Sequence, residues 1–223
     1  MSKIIDLTLA LKAGMRGFAS EPKYTVARDG WNASTLSLYT HAGTHMDSQI
    51  HFEAGPETLD QIPLERCLGP AWLVNLAGIA PKALIEVADL GYVANQFQPG
   101  ECLLLRTDWS RHVDNPTIYR DQLPRISEGL ARWCVERRVK ILGVEPPSIA
   151  DVTNLPEVTQ IHKILLGGGV NIVEGLTNLD MLVPGKLFFA AMPLKISGGD
   201  GCPCRAFAVE GDAEAEQLAR LLA

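Results

Sequence analysis

Short runs that are apolar almost throughout constrain this chain most. Residues 102–107, 141–144, 170–173 and 187–192 carry few polar side chains. Strands with one wet face alternate apolar and polar residues, so near-continuous runs fit strands buried on both faces. Further strands are expected at 3–9, 34–40 and 71–76. Helical patterns lie between them. Residues 83–87 lead into Asp89-Leu90. Residues 128–138 put Leu130, Trp133 and Cys134 on one face and end in Arg137-Arg138, which suits the negative end of a helix. Residues 158–166 repeat apolar positions at helical spacing, with Gly167 as a stop, and 214–222 closes the chain. The alternation of strands and helices in the second half indicates an α/β protein. The first half is richer in strand and turn, which argues against a pure doubly wound sheet. With 223 residues and no linker, repeat or low-complexity tract, one domain over 1–223 is expected.

Composition narrows the partners. Lys and Arg number 20 against 26 Asp and Glu, a net charge of −6, with no basic run. That excludes a nucleic-acid binder held by phosphate contacts. No apolar stretch approaches the roughly 20 residues that span a bilayer, and residues 1–14 lack the cleavage site of a signal peptide. Five cysteines, at 67, 102, 134, 202 and 204, are odd in number and scattered. They read as buried thiols in a reducing cytoplasm. Cys202-Pro203-Cys204 lacks the two-residue gap of a zinc or redox pair.

Three of the five histidines fall within eleven residues, in His41-Ala42-Gly43-Thr44-His45-Met46-Asp47-Ser48-Gln49-Ile50-His51. His41, His45, Asp47 and His51 all have odd numbers, so on an extended strand they share a face. A straight strand does not suffice: His41 and His45 would stand ~13 Å apart at ~3.3 Å per residue, too far for two nitrogens each ~2.0–2.1 Å from one ion. The backbone must bend, and Gly43 permits a kink or bulge. A helix would also join positions 41 and 45, though Gly43 and the strand-like lead-in disfavour it. Imidazole with carboxylate is a ligand set for zinc or, with more oxygen donors, manganese, and Asp47 has two oxygens to bridge two ions.

His162 lies in the helical pattern at 158–166, and Glu174 stands where the strand at 170–173 ends, a frequent position for site residues in α/β folds. Each has an ordinary structural reading as well. His112 shows no partner pattern. Ser48 lies inside the cluster but lacks a nucleophile elbow. Thr44 either fixes a ligand or holds its own turn.

The run HAGTHMDSQIHF resembles the HxGTHxDxPxHF motif of the cyclase-like metal hydrolases, which include bacterial kynurenine formamidases and isatin hydrolases. Gly143-Val144-Glu145-Pro146-Pro147-Ser148, the segment from His162 to Ile172-Val173-Glu174-Gly175-Leu176, and Pro193-Leu194-Lys195-Ile196 with Gly199-Asp200-Gly201 resemble that family's later segments, in order. The resemblance implies a swivelling β/β/α fold with a mixed sheet, a homo-oligomer, and one or two Zn2+ ions, with Mn2+ as the alternative. It places His41, His45 and Asp47 in one ligand group, His162 and Glu174 in a second bridged by Asp47, and His51 as the proton carrier. Gln49 replaces the usual Pro and Glu145 the usual Asp. Near the N-terminus, residues 14–22 replace the Pro-Gly-Asp stretch of kynurenine formamidases, where the family shapes its substrate pocket. Phe18 and Trp31 supply an aromatic wall there, or are plain core.

The expected activity is metal-dependent hydrolysis of a small-molecule amide, N-formyl amine or cyclic amide, with water activated by the ion and His51 moving protons. A cyclase or lyase on the same site, and a non-catalytic metal- or ligand-binding protein on the same fold, are the alternatives.

Overall fold

A computed structural model describes residues 3–211; the helix expected at 214–222 lies outside the described residues. The strands are β1 (Lys3–Asp6), β2 (Phe18–Tyr24), β3 (Ala33–Leu38), β4 (His45–Asp47), β5 (Leu68–Asn75), β6 (Leu84–Ile85), β7 (Cys102–Arg106), β8 (Arg125–Ile126), β9 (Ile141–Val144), β10 (Asn171–Glu174), β11 (Gly185–Pro193) and β12 (Gly201–Glu210). The helices are α1 (Val26–Asp29), α2 (Val93–Gln96), α3 (Pro116–Asp121), α4 (Glu128–Glu136) and α5 (Leu155–Gly167).

Eight strands form one mixed sheet in the order β1-β12-β11-β5-β7-β9-β10-β4. Its middle, β5-β7-β9-β10, is parallel, and the flanking pairs are antiparallel. β4 pairs with β12 as well as β10, so the sheet closes on itself into a barrel-like wall. This is the expected α/β class with a mixed sheet.

The apolar runs behave as their composition requires. In β7, Cys102 and Leu104 face the inside of the wall with Ala71, Leu73 and Ile141. Leu103 and Leu105 face the other way, into a cluster with Trp72, Leu142 and the buried sides of α4 and α5. Burying one such side chain contributes roughly 1.5–3 kcal/mol. Helix α4 starts where Ser127 accepts from the Leu130 N–H, and α5 where Asn154 accepts from Glu157, with Pro156 in its first turn. The buried stripe of α5 is Val158, Ile161, His162, Leu165 and Leu166, so helical spacing turns His162 inward with the core residues.

Two expectations are corrected, and one strand was not anticipated. Residues 83–87 are no helix: β6 pairs in parallel with β8, and Val87–Leu90 is a 3-10 turn that buries Leu90. The segment is too short to build a helix before Gly91, and Ile85 and Leu90 reach the core from an extended chain and a single turn instead. The strand expected at 34–40 ends at Leu38 and does not run into the histidine cluster; it pairs with β2 in a separate two-stranded hairpin. The longest strand, β12, was not foreseen, because Pro203 and the glycines before it disguise a strand whose inward residues are cysteines and alanines. All five cysteines are free and buried. Among the described residues no helix is long and apolar enough to cross a membrane.

Candidate metal centre

The chain turns at residues 41–44, and Gly43 sits at φ +61°, the left-handed bend demanded by the spacing of His41 and His45. Thr44 locks this bend without touching a ligand side chain. Its hydroxyl donates to the Gly175 carbonyl (2.5 Å) and accepts from the Leu9 N–H (2.8 Å). Gly175, at φ +68°, has no room for a Cβ, which would collide with the Gly43 carbonyl. His45 and Asp47 then lie on β4, opposite Glu174 and Ile172 of β10. The shared-face reading holds for His45 and Asp47. It fails for His41, which hangs from the turn, and for His51, which is delivered by a 3-10 turn over Gln49–Phe52. Gln49 anchors that turn, its amide donating to the Leu166 carbonyl and its oxygen accepting from the Glu57 N–H.

The five expected ligand side chains converge. His41, His45 and Asp47 offer ligand atoms within 4.8 Å of one another, and so do Asp47, His162 and Glu174. Asp47 belongs to both groups. His45 Nδ1 donates to the Gly43 carbonyl (2.9 Å) and His162 Nδ1 to the Val158 carbonyl (2.7 Å). Both rings therefore present Nε2 inward: His45 Nε2 is 3.3 Å and His162 Nε2 3.4 Å from the Glu174 carboxylate. Among the described residues, His45 Nε2 and Asp47 Oδ2 are the buried side-chain atoms without a hydrogen-bond partner. Leaving such atoms unpaired costs about 1–3 kcal/mol each. Lone pairs of imidazole and carboxylate aimed at one point are what a divalent cation satisfies, so the residues present fit a metal ion.

The electrostatics agree. Burial disfavours a charged His41 ring, but Asp47 and Asp200 outweigh it and lift the pKa from 6.5 to about 9. His45 and His162 are likewise raised: Glu174 and Asp47 overcome burial. Burial would raise Glu174, yet His162 and His45 hold it well below the usual carboxylate range. The centre thus draws positive charge. His51 moves the other way, lowered by burial and then by His41 and His162 against the pull of Asp47. Its ring stacks on His41 at 3.8 Å and meets the edge of Phe52 at 4.4 Å.

A cavity of about 540 Å³ opens onto His41, His45, His51, His162 and Glu174. Met15, Arg16 and Tyr39 form part of its wall, together with Phe52 and Arg120.

The sequence model of the cyclase family, described as "Putative cyclase", matches residues 5–151. The chain belongs to this family. A kynurenine formamidase of Salinibacter ruber is 32% identical over 177 residues, covering 78% of each chain. One of Geobacillus thermodenitrificans is 28% identical over 214 residues, covering 92% of this chain and 94% of that protein. The solved isatin hydrolase A of Ralstonia solanacearum superposes with a TM-score of 0.82 at 26% identity, covering 94% of this chain and 92% of the other.

Other candidates of this cyclase-family chain resolve as structural. Ser48 donates its hydroxyl to the Gly199 carbonyl. His112 packs on the edge of Trp109 at 4.7 Å. Trp31 is exposed and stacked on Tyr24 in the hairpin, and neither it nor Phe18 lines the cavity; Tyr39, Phe52 and Tyr119 are its aromatic lining. Cys202 and Cys204 face the core, and burial raises both thiols. One residue went unassigned: Asp200, whose Oδ2 lies 3.1 Å from His41 Nε2 and 3.9 Å from His51 Nδ1. Its position between Gly199 and Gly201 in the family-like closing segment was the available signal.

Proposed function

We propose that this chain is a metal-dependent hydrolase of small amides, N-formyl amines or cyclic amides, with His51 as its proton carrier. The observation that carries the reading is the pair of buried atoms, His45 Nε2 and Asp47 Oδ2, left without partners beside a cavity of small-molecule size. The names of the relatives, a formamidase and an isatin hydrolase, point to carbon–nitrogen bonds outside peptides.

His41, His45 and Asp47 would hold one ion, and Asp47, His162 and Glu174 would hold a second when two are bound. Nitrogen-rich donors with carboxylates favour Zn2+, with Mn2+ as the alternative. A metal held there would polarise the substrate carbonyl and lower the pKa of bound water toward ~7. The Gly43 and Val158 carbonyls hold the His45 and His162 rings from behind and fix their orientation. Phe52 and Tyr39 line the cavity beside the histidines. The ring nitrogens of His51 make no hydrogen bond within the described residues, and the ring faces the cavity. It takes the proton of the attacking water and delivers one to the departing nitrogen.

One domain is supported by the main sheet, which joins β1 to β12 across the described chain. A homo-oligomer is supported by the β2–β3 hairpin, which buries none of its own residues and exposes Trp31 and Leu36. Two-stranded hairpins are marginal alone. Five free buried thiols accord with a reducing cytoplasm.

The test combines elemental analysis of untagged protein with an assay of an N-formyl aromatic amine and of isatin. One or two equivalents of zinc or manganese, and turnover of either substrate that is lost on chelation and restored by metal, is the expected result. Metal-loaded protein that turns over neither overturns the hydrolase reading.

A further inference from the structure

The three histidines of the centre are not held alike. His45 and His162 each lean on a backbone carbonyl of their own neighbourhood, Gly43 and Val158. His41 hangs from a turn, and no backbone group holds its ring. Its Nδ1 faces Asp47 Oδ1 at 2.9 Å, and its Nε2 faces Asp200 Oδ2 at 3.1 Å. Asp200 is itself restrained, since the same Oδ2 accepts from the Thr40 hydroxyl at 3.3 Å. The next residue, Gly201, is paired with Asp47 in the β4–β12 register. A Cβ there would stand 2.6 Å from His41 Cε1 and 2.9 Å from the Met46 carbonyl oxygen. Gly201 thus makes the space that the ring occupies.

We propose that Asp200 and Gly201 form a seat for the His41 ring, in which Asp200 accepts the Nε2 proton and so presents the Nδ1 lone pair to the metal beside Asp47. A ring nitrogen that donates to a carboxylate fixes the tautomer and makes the other nitrogen a better ligand. Asp200 is a positioning residue: it acts through His41. This rests on the metal-centre reading, but not on the reaction catalysed.

The experiment measures Zn2+ affinity of the full-length, metal-stripped protein by competition with a chromophoric chelator, and the visible spectrum of its Co2+ form. Asp200→Ala is expected to bind Zn2+ about 10–100-fold more weakly and to alter the Co2+ bands. Asp200→Asn keeps an acceptor for Nε2–H and is expected to recover most of the affinity and the spectrum. Gly201→Ala, which displaces the ring, is expected to lose affinity as Asp200→Ala does. Thermal melts and circular dichroism of the metal-free variants confirm that each is folded, and Asp200→Asn carries the test where Asp200→Ala is not. Wild-type affinity in Asp200→Ala overturns the proposal. So does Asp200→Asn that binds no better than Asp200→Ala, because the carboxylate would then act as a direct ligand or by charge alone. Protein that binds metal as expected but hydrolyses no amide leaves the seat standing and overturns only the proposed activity.

Discussion

Two buried glutamates stand at the ends of neighbouring parallel strands, and they do opposite things. Glu145 follows β9. Its Oε2 accepts from the Thr107 and Trp109 N–H groups and the Thr107 hydroxyl, and its Oε1 accepts from Ser110. Glu174 ends β10. It accepts one backbone bond, from Ile149, and otherwise faces His45 and His162. Burial pushes the Glu145 carboxyl up against its neutral donors, whereas the histidines pull Glu174 down. Depth and residue type are the same. The character of the partners separates a carboxylate that clamps a loop from one that faces two imidazoles.

Substitutions break or sharpen this contrast. The largest effect is expected at the shared carboxylate. Asp47→Asn should abolish metal binding, read by elemental analysis, and bring turnover to background. His51→Ala should keep normal metal content and lose ~10²–10⁴-fold in turnover; loss of metal with it would make His51 a ligand. At the contrasting position, Glu145→Gln should lower stability by about 1–3 kcal/mol in urea titration and leave metal content unchanged. If Glu145→Gln sheds metal as Glu174→Gln does, the contrast between the two strand ends collapses. Gly175→Ala should cost about 1–3 kcal/mol and loosen the bend at Gly43, which the same titration detects. The metal-free protein should have a pH-dependent stability to which His41 contributes. The ring binds its proton below 6.5 when unfolded but up to about 9 when folded. Its stabilisation is therefore complete below pH 6.5 and disappears as pH rises through 9. Melting temperatures of stripped protein across that window measure it, and a flat or rising profile contradicts the sign. The smallest effect is expected far from the strand ends: Trp31→Ser should change monomer stability by less than ~0.5 kcal/mol and show in light scattering only if the hairpin holds two copies together.

The cluster at 41–51 was legible because ligand chemistry limits residue types, and because Gly43 marks the only bend that brings His41 and His45 together. His162 and Glu174 were legible in part. Helical spacing turns His162 inward, but nothing local distinguishes it from a core histidine. The route to His51 was misread: two-residue periodicity places it on a strand face, while the chain takes a 3-10 turn anchored by Gln49. Asp200 escaped because its partner is 159 residues away, and a half-exposed Asp between glycines reads as a turn.

By itself the sequence determined the α/β class, the buried strands and the bend at Gly43. Those follow from burial preference and backbone sterics, which act over a few residues. Only the tertiary structure decided that β4 bridges β10 and β12, that Asp47 lies between the His41/His45 pair and the His162/Glu174 pair, and that the hairpin stands apart from the main sheet. Each of these depends on strand pairing between distant segments. Such pairing is fixed when backbone hydrogen bonds close over the whole sheet, and no local pattern encodes it.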